Sequence, residues 1–297
     1  MSGGFRRDVA EAQAVASSLT KTVSYRVQQS ITMKFALKHL ALAASLVSVG
    51  LASAQATTIA TSGSVTDSGY TFSALSGTGT LSFSSTLIGA LNAGGIQVSQ
   101  VNPAIVTTTT TTSGKYKTVS AAAPVTSLTG AVSGSTFGVT QVATAGGALQ
   151  TAVDDGFTTT GGSLSITNLM VDLSSKKVFA TLIGANGVGT VNNLYLWDIG
   201  SLTGATSQSL VDGTNTFSNT LSGLKINSNA FNLFSQALGL TAAGNNALST
   251  VTDFGTITST ISFNAKAATA AVPEPSTYAL MGLGLAAVGM VARRRAK

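Results

Sequence analysis

Residues 57–271 offer few groups that could do chemistry: seven aspartates, six lysines, three tyrosines and one tryptophan, with no histidine, cysteine, glutamate or arginine. A Ser-His-Asp triad cannot be assembled from this inventory. Zinc, copper or haem ligation through imidazole or thiolate is excluded as well. Asp154-Asp155-Gly156 is the acidic pair of the region. Its oxygens could hold calcium, but the spaced Asp/Asn positions of a calcium loop are missing, so a polar turn is the better reading. A glycosidase needs two carboxylates flanking one bond, and nothing in the sequence singles out such a pair. Gly184–Gly189 has the glycines of a phosphate loop. That loop must open a helix, whereas strand-like Leu194-Tyr-Leu-Trp-Asp198 follows. No cofactor and no metal are therefore expected. Tyr195 and Trp197 stand two apart on a strand and so share a face, which makes them the candidate contacts for a small ligand or glycan. The plain alternative is that both are core, because large aromatics usually pack.

A second constellation lies at the C-terminus. Pro273-Glu274-Pro275 cannot continue a regular helix or strand and marks an extended stop. Tyr278 to Ala292 is uncharged over 15 residues, and Arg293, Arg294 and Arg295 follow. As a helix the run spans roughly 22 Å, short against a ~30 Å hydrocarbon core. An interfacial tyrosine, snorkelling arginines and local thinning would close the gap, with Arg293–Arg295 left on the cytoplasmic side. Motif, helix and basic cluster in this order resemble the PEP-CTERM family of sorting tails. The resemblance covers about 25 terminal residues. It implies that an exosortase, a membrane transpeptidase-like enzyme, recognises and cuts near Pro273-Glu274-Pro275. It also implies an exported protein of a Gram-negative bacterium, linked to exopolysaccharide or biofilm. An unprocessed membrane anchor is the alternative.

The other end reads as an export signal. Met33-Lys-Phe-Ala-Leu-Lys-His39 is a short basic region, Leu40–Leu51 is apolar, and Ala52-Ser-Ala54 and Ala54-Gln-Ala56 both fit small-x-small cleavage. Cleavage by signal peptidase is thus expected after Ala54 or Ala56, behind a signal helix. Residues 1–32 are polar and mixed in charge and fit an over-extended start. The expected domains are therefore 1–32, a signal peptide at 33–56, an exported domain at 57–271 and a sorting tail at 272–297.

The charge follows this division. The chain is +6 overall, but residues 57–271 carry six lysines against seven aspartates. The positive charge sits in the targeting segments, where it orients them in a membrane. It leaves no basic patch for nucleic acid.

The elements that must position the exported domain's side chains read as β. Leu81, Phe83, Ser85 and Leu87 alternate with Ser82, Ser84 and Thr86, and Ile257, Ser259, Ile261 and Phe263 with Thr256, Thr258, Thr260 and Ser262. Period two with one apolar face predicts half-buried antiparallel strands. Leu164–Leu173 shifts phase at Asn168-Leu169, which predicts a bulge. Asn186-Gly187 predicts a hairpin joining 177–183 to 190–199. Ala230, Phe231, Phe234, Ala237 and Leu238 recur at helical spacing before Gly239, and Leu87–Leu91 could start a shorter helix. Thr107–Thr112 reads as an edge strand or loop open to O-linked sugar, and Lys115-Tyr-Lys117 as a solvated turn. The expectation is a mainly β domain, an antiparallel β-sandwich or open barrel with one or two short helices, plus the N-terminal signal helix and a C-terminal transmembrane helix.

Gly77–Ile96 followed by Gly161–Leu173 is similar in layout to HtaA-type β domains, cell-surface modules of which some bind haem. Haem would need an axial ligand, and Tyr70, Tyr116 and Tyr195 are the residues left to supply one. The expected function is an exported, non-enzymatic surface or matrix protein. A small-ligand, glycan or haem-binding surface module is the alternative.

Overall fold

The computed structural model describes residues 55–268 and 275–295. The signal segment through Ala54, and Pro273 and Glu274, lie outside the described residues. So do residues 1–32.

In chain order the elements are β1 (Ala56–Ala60), β2 (Ser64–Asp67), β3 (Tyr70–Phe83), α1 (Ser85–Ala93), β4 (Gln97–Val101), β5 (Ile105–Thr110), β6 (Tyr116–Ser133) and β7 (Thr136–Thr144). They continue with β8 (Gly147–Ala152), β9 (Gly162–Asp172), β10 (Lys177–Gly184), β11 (Gly189–Gly204), β12 (Ser207–Ser209), β13 (Gly213–Ile226), α2 (Ser228–Ala237), α3 (Ala242–Ser249), β14 (Gly255–Ala267) and α4 (Pro275–Arg295).

All described pairings are antiparallel. The main path runs β7-β6-β3-β14-β13-β11-β10-β9, and β9 returns to β7 through Gln141↔Asp172, Val142↔Val171 and Ala143↔Met170. The sheet therefore closes on itself into a barrel. Closure removes the unpaired edges that an open sheet must protect. β8 continues the line of β7 along the other half of β9, and β4 pairs on its far side.

The alternating runs behave as their pattern predicts on β14, where Ile257, Ile261, Phe263 and Ala265 are buried. The phase shift in β9 is a bulge: Thr181 faces Thr167 while Phe179 faces Met170, and Asn168 takes φ 53°. The β10–β11 hairpin turns through Asn186 (φ 54°) and Gly187 (φ 80°), where two positive φ values suit Asn-Gly.

Two expectations are corrected, and one further helix was not foreseen. The strand at Leu81 ends at Phe83: Ser84 accepts a hydrogen bond from the Leu87 N–H (3.1 Å) and caps α1, so Ser85 and Leu87 are helical. A capping serine interrupts a period-two pattern that sequence alone carries straight through. Tyr116 is not in a solvated turn but opens β6. Its hydroxyl accepts from the Val98 N–H at 2.9 Å and its N–H donates to Asn92 at 2.8 Å, which ties β4 and α1 to the barrel. Helix α3 had no apolar periodicity to reveal it; Thr241 caps it, and Gly244 and Leu248 are its buried residues. The predicted α2 is present, with Ala230, Phe234 and Ala237 buried and Gly239 following at φ 60°.

Candidate functional site

Inward-facing residues of the barrel fall into two layers. In one, Phe72, Phe137, Phe217 and Phe263 come from four strands and meet with ring centroids 5.5–6.4 Å apart. Each is 0–2% exposed. In the other layer β3 presents Gly79, β6 presents Ala121 and Ala123, and β7 presents Thr144. α1, α2 and α3 lie over this layer with Leu91, Phe234 and Leu248, and Phe254 joins them.

Small residues opposite one another cannot fill the width that phenylalanines fill. The result is an apolar cavity of about 100 Å³, partly open to solvent. No charged side chain lines it among the described residues. Trp197 and Asn219 do, and they are 4% and 8% exposed. Trp197 Nε1 and Asn219 Oδ1 are both buried without a hydrogen-bond partner among the described residues. Leaving one such group unpaired costs about 1–3 kcal/mol. Asn245 Oδ1 is likewise unpaired, but Asn245 does not line the cavity.

Tyr195 and Trp197 do not share a face. Val178 faces Trp197 while Phe179 faces Tyr195, so Leu196 is an extra residue and the strand changes phase. Trp197 turns inward onto Phe254, 6.1 Å between centroids. Tyr195 turns outward, packs on Phe179 and lies under the Lys177 ammonium (4.4 Å). Its hydroxyl donates to Asp198. Burial, and then the hydrogen bond and charge of Asp198, push its pKa up to about 12. No sequence signal marked the bulge at Leu196, because an apolar residue fits either face.

The aspartates are all engaged in structure. Asp154 accepts from the Gly156 N–H. Asp155 accepts from the N–H groups of Phe157, Thr158 and Thr159 and from the Thr158 hydroxyl. These bonds, the Thr158 hydroxyl foremost, hold its carboxyl well below the usual range. Asp172 caps Ser174 and Ser175; burial raises its pKa, but these donors and Gln141 outweigh it and leave the carboxyl low. Asp253 accepts from the N–H groups of Leu224 and Gly255, Asp212 from that of Ala267, and Asp67 from the Thr57 and Ser68 hydroxyls. No cluster of three metal-ligating side chains occurs among the described residues. The Asp154–Gly156 segment is thus a turn held by carboxylates.

Haem does not fit the cavity. Its described lining contains no tyrosine, histidine, cysteine or methionine. Tyr70 stacks on Phe72, Tyr116 is tied to Val98, and Tyr195 faces outward.

At the chain ends, Ala56 opens β1 and pairs with Ala131, so cleavage after Ala54 leaves that strand whole. Pro275 opens α4, the first helical position that proline tolerates best. Arg293, Arg294 and Arg295 form the last turn of α4, where cations complement the helix dipole. Leu280, Met281, Leu283, Leu285, Val288, Met290 and Val291 are 55–72% exposed. Among the described residues no helix is long and apolar enough to cross a membrane, a statement that does not bear on strands. The expected C-terminal helix is present; its spanning of a membrane is not shown.

Comparison with known proteins matches residues 271–295 to the PEP-CTERM protein-sorting motif. No curated protein sequence matches the chain. A solved structure, the heme binding protein HtaB from Corynebacterium glutamicum, covers 65% of this chain and 96% of its own at 17% identity and a TM-score of 0.32. A likeness of that size carries no argument about fold or ligand.

Proposed function

We propose that this chain, which carries a PEP-CTERM sorting motif and is thereby an exported, exosortase-sorted protein, works as a non-enzymatic surface or matrix protein of a Gram-negative bacterium, in association with exopolysaccharide. The observation that carries the reading is the tail: the matched motif at 271–295 coincides with a helix that opens at Pro275 and closes on three arginines.

The physics of each part suits processing. A proline disfavours helix in the residue that precedes it, so Pro275 stops α4 from extending back into Glu274, which suits access by a processing enzyme. Apolar side chains all round α4 suit lipid rather than one protein face. Moving each arginine through hydrocarbon costs roughly 2.5–3.5 kcal/mol even on the mild insertion scale, which holds the tail in place while the motif is cut. A non-catalytic body is favoured by the aspartates, each of which is committed to a turn, a strand end or a neighbouring hydroxyl.

Replacing Pro273, Glu274 and Pro275 together with alanine tests the reading. Export should persist, maturation should stop, and uncut precursor should accumulate in the inner membrane. Mass spectrometry of the mature C-terminus reads the outcome. Normal maturation of the triple variant, or an unchanged mass in cells without the exosortase, would refute processing at this motif.

A further inference from the structure

We propose that the barrel cavity is a binding channel for one unbranched alkyl chain that carries a polar group at one end only. The inference concerns the barrel alone and does not depend on how the tail is processed.

Three observations define the ligand. The first is shape. Trp197 and Asn219 both line the cavity, yet the register of β11 with β13 sets Trp197 opposite Ile226, seven positions along β13 from Asn219. Seven strand residues cover roughly 20 Å. Along β9 and the residue after it, the lining runs from Ile166 to Leu173, again seven positions. The space is thus drawn out along the strands. A volume of about 100 Å³ spread over such a length is narrow. It admits a single file of methylenes and excludes a bulky or fused ring.

The second is chemistry. The walls are mostly leucine, isoleucine, valine, phenylalanine, alanine and glycine, and no lysine, arginine or aspartate lines the described cavity. Trp197 Nε1 and Asn219 Oδ1 are closed to a water-sized sphere, so neither offers a guest a hydrogen bond. An apolar space of this kind holds water poorly and takes apolar guests. A charge inside it would have no counter-ion, at a cost that methylenes avoid. The third is access. The cavity is partly open to solvent, so one end of a chain keeps its polar group in water while the rest is buried. That fits a single-chain amphiphile. It does not fit a two-chain lipid, whose second chain would stay in water and forfeit its burial. At Gly79 a built Cβ meets only the Thr144 methyl, at 3.6 Å, so a larger side chain there would take up channel space without striking the backbone.

The experiment is isothermal titration calorimetry on the protein as isolated from the producing cells, whether or not the tail has been removed. The probes are hexanol, octanol and decanol. Affinity should rise about fourfold with each added methylene, the increment for burying one CH₂. Adamantanol has as many carbons as decanol, but in a cage, and should not bind measurably. Decanedioate is charged at both ends and should not bind either, because one carboxylate would be buried unpaired. Gly79→Ala keeps the fold, since its Cβ finds ordinary contact, and should lower decanol affinity about fourfold, one methylene's worth. Gly79→Leu should lower it further. These variants separate the channel from the tail, because alcohol held by α4 would be indifferent to residue 79. Absence of decanol binding to the wild type, an affinity that does not climb with chain length, adamantanol or decanedioate binding as tightly as decanol, or undiminished decanol binding in Gly79→Ala would each overturn the proposal.

Discussion

The two layers of the barrel interior use the same strands to opposite ends. On β3, Phe72 serves one layer and Gly79 the other; on β7, Phe137 and Thr144; on β13, Phe217 and Asn219. The phenylalanine layer has four rings in mutual contact. In the second layer small residues and two polar groups leave a cavity, and three short helices are needed to cover it. Stability and capacity are therefore separated along the barrel axis. The layer that can be filled by rings is filled, and the space lies where the backbone carries glycine and alanine.

If this division is right, the largest mutational loss belongs to the phenylalanine layer. Phe137→Ala removes a ring in contact with three others and should cost about 3–5 kcal/mol, read as a fall in the urea midpoint at unchanged slope. A loss below that of a cavity-lining residue would break the comparison. Leu221→Ala, at the cavity wall, should cost less, about 2–3 kcal/mol, because some of its surroundings are already empty. Its neighbour Leu224, which does not line the cavity, should cost more on the same change. Filling should help rather than hurt on this side. Gly79→Ala should add about 0.4–1 kcal/mol, since its Cβ finds ordinary contact and the unfolded chain loses freedom.

The smallest effects are set by pH. Asp155 holds Thr158, whose carbonyl accepts from the Thr241 N–H that starts α3 over the cavity. Its carboxyl is depressed in the folded state, so its stabilising contribution is present above the ordinary value of 3.8 and is lost as pH falls below it. Denaturation curves from pH 7 to pH 3 should show a smaller acid loss for Asp155→Asn than for the wild type. Tyr195 has the opposite sense. Its pKa is raised from 10.0 to about 12, so its contribution is full below pH 10 and is lost as pH rises through 12. Tyr195→Phe should flatten the stability curve between those two values. Identical slopes for wild type and variant would remove the respective group from the comparison.

Much of the architecture could be read from residue order alone. Period-two runs announced β14, Asn186-Gly187 announced its hairpin, and the phase shift at Asn168 announced its bulge, because each signal is local and needs only neighbours within a few positions. The tail was equally legible: prolines, an apolar run and arginines act through backbone restriction and transfer from water, neither of which depends on a distant partner. Closure of the barrel was not legible. It rests on three residue pairs between β7 and β9, which no local pattern encodes. The bulge at Leu196 was hidden too, and with it the separation of Tyr195 from Trp197, since side-chain phase past an apolar insertion is decided by the partner strand. The cavity is a tertiary property for the same reason. Gly79, Ala123 and Thr144 are unremarkable in their own segments, and only the pairing of β3 with β6 and β6 with β7 brings them together beside the unfilled space.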